Sequence, residues 1–403
     1  MIAGQRRKAS RIKAGVFLAA ALLPVTGAAE DTGTQGRGGG KFTHRIEAEY
    51  NTGGILHTDE YLAGGNPENR VMNHSSAVRM KYAFADAPGS ARAQIYKGAY
   101  QGAGIALHRF NPQLGNPVSV FIFQGARIVS LSRRLSLNYE WNLGLAYGWN
   151  PYDRERNPDN RVIGSKATAY LDADIYLCWT LSRWADVTAG VAASHFSNGN
   201  TADPNGGLNT LAAKVGMACH IGRGNASDTR RPIPPFARHV SCDVVAFGAW
   251  RRHGIAGGDG GLYAAPGTYG VFGINVNPMY NISHWLSAGV SLDGVYDRSA
   301  NMYFEDGVVS AAAVRRPAAE KQMALGLSAR AELVMPYFTI NAGVGTNVVN
   351  GRGDFSGVYE ILALKINAFR GTFVHIGYCL NDFKYPNYLM LGVGYRFNDR
   401  RMR

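Results

Sequence analysis

Over most of its length the chain alternates apolar and polar side chains with a period of two, in runs of ten residues or more. In "ATAYLDADIYLCW" the odd positions Ala167, Ala169, Leu171, Ala173, Ile175, Leu177 and Trp179 are apolar, while the even ones include Thr168, Tyr170, Asp172, Asp174 and Tyr176. That period sends successive side chains to opposite faces of a strand. The same split places His44, Ile46, Ala48 and Tyr50 opposite Arg45, Glu47 and Glu49, and Leu389, Leu391, Val393, Tyr395 and Phe397 on one face. A soluble sandwich uses shorter strands, whereas about ten tilted residues cross a bilayer. Long polar connections such as "LHTDEYLAGGNPENRVMN" and "WNPYDRERNPDNR" alternate with tight ones such as "DAPGSA", "SRR", "ISH" and "RG". The expected fold is all-β, a transmembrane antiparallel β-barrel of the outer-membrane type with about 16 strands, an even number that returns both termini to the periplasm.

The first residues carry an address. "QRRKASRIK" has five cations and no acid, and "AGVFLAAALLPV" and "TGAAE" follow; this is the layout of a secretory signal peptide over residues 1–29. Its apolar run is too short for a transmembrane helix, and no later run reaches eighteen apolar residues. Loss of the five cations lowers the net charge from +13 to +8. No basic run interleaved with aromatics remains, so nucleic acid is not the expected partner. Residues 30–42 read as a flexible periplasmic tail, 43–222 as barrel strands, 223–236 as a periplasmic linker and 237–398 as further barrel strands. The linker could lie inside one large barrel or join two eight-stranded ones. The aromatic end of the last strand, against "CHIGRG" before the linker, favours one. The four cysteines lack CxxC spacing, which argues against zinc; disulfide pairing stays unassigned.

One hairpin breaks the pattern. In "VTAGVAASHFSNGNTADPNGGLNTLAAKVGMA", Val187, Ala189, Val191 and Ala193 share a face, and His195 and Ser197 continue that row. On the returning strand Asn209 stands in the row of Leu211, Ala213, Val215 and Met217. Three polar groups thus gather on a face expected to meet lipid. Ester hydrolysis by a serine needs a hydroxyl nucleophile, an imidazole base and a third group to orient the imidazole, and Ser197, His195 and Asn209 could fill those roles. The Asn- and Gly-rich loop between them could supply oxyanion donors. Polar residues at headgroup depth are the structural alternative.

The run His195-Phe196-Ser197-Asn198-Gly199, followed by Pro204-Asn205-Gly206-Gly207, resembles the signature of the lipid A 3-O-deacylases, or acyloxyacyl hydrolases. The resemblance, over about residues 140–222, implies an outer-membrane serine esterase acting on lipid A of lipopolysaccharide, with His195 as base, Ser197 as nucleophile, and Asn198 and Asn205 as oxyanion or positioning residues. It implies no cofactor. Asn209 departs from the family's Glu and is similar to the third residue of outer-membrane phospholipase A, an alternative that would bring calcium near Asn200 or Asn205. A non-catalytic, porin-like or surface-binding barrel is the other alternative. Oligomeric state is left open. Arg352-Gly353-Asp354 matches an adhesion tripeptide by its letters alone, and Asp172, Asp174 and Asp186 read as ordinary lumen lining.

Overall fold

In the computed structural model of the chain, residues 41–223, 231–256, 262–305, 309–383 and 385–401 are described. The expected signal peptide and most of the expected tail lie outside them. Eight strands come first: β1 (Phe42–Leu56), β2 (His74–Asp86), β3 (Tyr100–Arg109), β4 (Gly115–Ser130), β5 (Leu135–Trp149), β6 (Ala167–Thr180), β7 (Ala185–Ser197) and β8 (Leu208–Ile221). Each pairs antiparallel with the next, and β8 returns to β1 over thirteen residue pairs from His44–Ile221 to Leu56–Asn209. The barrel is closed.

A second barrel follows, formed by β9 (His239–Arg251), β12 (Tyr269–Asn281), β13 (Leu286–Asp297), β16 (Met323–Val334), β17 (Phe338–Val349), β18 (Val358–Asn367), β19 (Thr372–Asn381) and β20 (Tyr385–Phe397), and it closes where β20 pairs β9. Small hairpins of β10 (Gly254–Ala256) with β11 (Leu262–Ala264), and β14 (Tyr303–Phe304) with β15 (Val314–Arg315), sit in its loops. The expected sixteen barrel strands are present, but they form two barrels of eight; the preference for one large barrel is corrected.

The lumens explain why. An eight-stranded barrel is just wide enough for side chains to fill. In the first, Arg79 Nη2 lies 2.6 Å from Asp172 Oδ2, Lys214 Nζ lies 2.6 Å from Asp174 Oδ2, and Lys81 Nζ lies 2.7 Å from Glu140 Oε1. In the second, Lys365 Nζ lies 2.7 Å from Asp243 Oδ2, and Arg396 Nη2 lies 2.8 Å from Glu332 Oε2. These groups are buried, so the inward polar residues that line each lumen cross-brace its interior. The aromatic strand end that favoured a single barrel does not control closure; a complete hydrogen-bonded ladder between first and last strands does. Outside, exposed apolar side chains such as Val191, Val215, Ile274 and Leu327 form the lipid-facing rows, with Trp179, Trp184, Trp250 and Trp285 among the exposed aromatics.

One expectation about the connections changes. "DAPGSA" opens a longer link containing a helical turn, α1 (Ala91–Ile95), whose N-cap Ser90 accepts a hydrogen bond from Ala93 N. The described part of the expected linker docks there: Arg231 N donates to Gly89 O at 2.9 Å, and Gln94 Nε2 to Arg231 O at 2.7 Å. Side by side, the barrels bury an apolar seam in which Phe338 meets Trp141 edge-on at 5.0 Å, and Met335 and Leu364 pack with Ile122 and Leu143. All four cysteines are free thiols.

Candidate active site on the outer wall

β7 is held by its inward row. Asp186, Thr188, Ala192, Ser194 and Phe196 are buried, while Val187, Ala189, Val191 and Ala193 face outward and are exposed. His195 and Ser197 continue the outward row and are half-buried. Between them Phe196, 1% exposed, anchors the strand: its ring stacks on Tyr170 at 5.2 Å and meets Trp149 edge-on at 5.1 Å. That plug continues into the outer loops through Tyr61, Leu62, Val162 and Ile163. Parity shows Phe196 as inward, but which aromatics it meets depends on strand register, which places Tyr170 of β6 opposite it and Trp149 of β5 beside it, so its anchoring role was not legible there.

Asn209 is the residue directly across the ladder from His195. His195 Nδ1 and Asn209 Oδ1 are 2.7 Å apart. An amide oxygen only accepts, so this contact assigns the proton to Nδ1 and leaves Nε2 with a lone pair. Gly207 makes room for the ring. Its φ is +72°, and a Cβ there would lie 3.1 Å from His195 Cε1. The outer loop between β5 and β6 supports this corner, with Arg161 O and Val162 O accepting from Gly206 N at 3.0 Å and Gly207 N at 3.1 Å.

Ser197 and His195 lie two positions apart on one strand face, about 6.6 Å between Cα atoms. Among the described residues neither Ser197 Oγ nor His195 Nε2 has a hydrogen-bond partner. Catalytic contacts of this kind commonly close only around bound substrate.

The loop residues are already engaged. Asn205 Oδ1 accepts from Asn198 N at 2.9 Å, Asn205 Nδ2 donates to Asn200 Oδ1 at 3.1 Å, and Asn198 Nδ2 donates to Ala202 O at 2.8 Å. Each of these amides retains one hydrogen, but Asn198 is buried and shapes the loop, whereas Asn205 is half-buried. The oxygens at the position of the calcium alternative are already in use. Asn200 Oδ1 accepts from Asn205, Asn200 O accepts from Arg252 N at 3.1 Å, and Asp203 Oδ2 lies 3.5 Å from Arg252 Nη1. Among the described residues, the group of carboxylates close enough to hold a metal is Glu49, Glu140 and Asp174 in the lumen, where Lys81 and Lys214 already neutralise them.

Other sequence features fall into structural roles. Asp186 pairs with His220 and Arg223, and Asp172 also accepts from Asn142 and Ser194. The Asp of the Arg-Gly-Asp triplet is used internally: Asp354 Oδ2 accepts from Asn301 N at 2.7 Å and lies 3.1 Å from His253 Nε2. Burial pushes the Asp354 carboxyl up, but the His253 and backbone contacts outweigh it and hold it below its ordinary range.

Among the described residues, the equivalent position of the second barrel carries no such pair. The outward row at the outer end of its seventh strand, β19, reads Ile376, Tyr378 and Leu380, and Leu389 stands across from Tyr378.

Comparison with known proteins places both halves. A family model described as lipid A 3-O-deacylase matches residues 78–218, and one described as acyloxyacyl hydrolase, C-terminal domain, matches residues 240–399. The similarity therefore extends well beyond residues 140–222, and the second half has a counterpart of its own. No curated protein matches the sequence. Among solved structures, Neisserial surface protein A is 9% identical, with 45% of this chain and 99% of that one covered at a TM-score of 0.28. The FrpB iron transporter of Neisseria meningitidis is 11% identical, covering 88% and 69% at 0.21, and the outer membrane protein Omp33 of Acinetobacter baumannii is 8% identical, covering 89% and 97% at 0.16.

Proposed function

Since the chain belongs to the lipid A 3-O-deacylase family of outer-membrane hydrolases, we propose that it is a serine esterase that removes an ester-linked acyl chain from lipid A within the outer leaflet. The observation that carries this reading is the outward placement of His195, hydrogen-bonded to Asn209, in one row with Ser197. Ester groups of outer-leaflet lipid lie at that depth, so substrate need not leave the bilayer. The leader expected over residues 1–29 would deliver the chain for export.

Ser197 Oγ attacks the ester carbonyl while His195 Nε2 takes its proton. The tetrahedral intermediate collapses, the sugar oxygen leaves with that proton, and water then releases the acyl group by the same route. The remaining amide hydrogen of Asn205 and the N–H of Gly199 are the donors assigned to the developing oxyanion, each worth roughly 3 kcal/mol in such a site. Asn209 orients the imidazole, with less charge stabilisation than a carboxylate gives.

The test incubates the full-length barrels in vesicles with lipid A and phospholipid, with and without chelator, and follows both lipids by mass spectrometry. Loss of one acyl chain from lipid A, indifferent to chelator and abolished by Ser197→Ala, is expected. Intact lipid A with chelator-sensitive phospholipid cleavage would transfer the site to the phospholipase class, and two intact lipids would reject hydrolysis. Packed lumens already speak against a porin-like channel.

A further inference from the structure

The loop that follows Ser197 is touched by the other barrel at three places. Gly199 has φ +63°, and a Cβ there would lie 3.0 Å from Leu389 Cγ, so the missing side chain is what lets Leu389 seat against it. Next, Arg252 N donates to Asn200 O at 3.1 Å. Last, Arg252 Nη1 lies 3.5 Å from Asp203 Oδ2. Leu389 belongs to β20 and Arg252 directly follows β9, neighbouring strands of the second barrel.

These contacts lead back to the nucleophile. Asn200, held by Arg252, accepts through Oδ1 from Asn205, whose own Oδ1 accepts from the N–H of Asn198, the residue bonded to Ser197. The loop is otherwise Asn- and Gly-rich and would sample many conformations; fixing it in advance removes that cost from the reaction. Leu389 stands opposite Tyr378 in the second barrel, as Asn209 stands opposite His195 in the first. The place that orients a base in one barrel supports the neighbour's loop in the other.

We infer that the second barrel is a built-in, non-catalytic partner of the first, and that Leu389 and Arg252 are positioning residues that hold the loop carrying the oxyanion donors beside Ser197. This rests on the proposed esterase reading for its kinetic consequence, but its structural consequence can be read without any reaction. Lipid binds the barrel wall, not these residues, so their loss lowers turnover and leaves half-saturation in place.

Full-length Leu389→Ala, Leu389→Met and Arg252→Glu, and the exchanged pair Arg252→Glu with Asp203→Arg, would be compared in vesicles. Heat-modifiable electrophoretic mobility confirms that both barrels fold. Hydrogen exchange read by mass spectrometry should show the Asn198 amide losing protection in Leu389→Ala and keeping it in Leu389→Met. Lipid A turnover should fall about tenfold in Leu389→Ala and Arg252→Glu, and return to within about twofold in Leu389→Met and the exchanged pair, since a displacement of about 1 Å can cost up to a hundredfold. Unchanged exchange in Leu389→Ala overturns the inference even if lipid A proves not to be the substrate. So does a loss confined to half-saturation, or a Leu389→Met variant as slow as Leu389→Ala. Wild-type protein that leaves lipid A intact while Leu389→Ala still loosens the loop would reject the esterase reading alone.

Discussion

Asn209 decides how His195 presents itself. Its Oδ1 fixes the proton on Nδ1, and removing that acceptor leaves the ring free to turn and to adopt the wrong tautomer. Asn209→Ala should therefore lower lipid A turnover about a hundredfold or more, in line with the large losses seen when a triad's third member is removed. Asn209→Glu should keep activity at or above wild type, because a carboxylate accepts the same bond and stabilises the imidazolium. Steady-state rates of the two variants check both signs. Equal losses in both would show that Asn209 does not orient the base.

β7 works because its two faces do unrelated jobs. Phe196 is locked in an aromatic plug on the inside, which leaves the flanking His195 and Ser197 only the outside. Phe196→Ala should cost about 3–5 kcal/mol by opening a cavity, and it should slow hydrolysis without altering any group that touches lipid; thermal unfolding and turnover measured together test this. How much of this strand was legible follows from its period. Alternation over Val187–Ala193 fixed which way His195 and Ser197 point, and their place in that row marked the hairpin as unusual. What alternation cannot express is contact across the barrel, so the plug around Phe196 and the seat of Gly207 against His195 needed three dimensions. Asn198 shows the same limit: its residue type left oxyanion and positioning roles open, and its contacts with Ala202 and Asn205 became visible only in the folded loop.

The number of strands was readable along the chain, but where the sheet closes was not, because closure pairs residues far apart in sequence, from His44 with Ile221 to Leu56 with Asn209. Two narrow barrels rather than one wide one have lumens crossed by buried ion pairs and create a seam. Phe338→Arg would set an unpaired charge against Trp141 in that seam, and breaking it should lower lipid A turnover while both barrels stay folded by electrophoretic mobility; full activity would mean that the halves work independently. For the molecule, the proposed function puts its chemistry on the outer wall, at Ser197. Trapping the nucleophile tests this most directly: the vesicle-embedded protein is treated with a long-chain fluorophosphonate and the adduct is mapped by peptide mass spectrometry. An adduct on Ser197 that disappears in His195→Ala is the expected result. Lipid A hydrolysis that proceeds with Ser197 unmodified, or an adduct on a different residue, would contradict it.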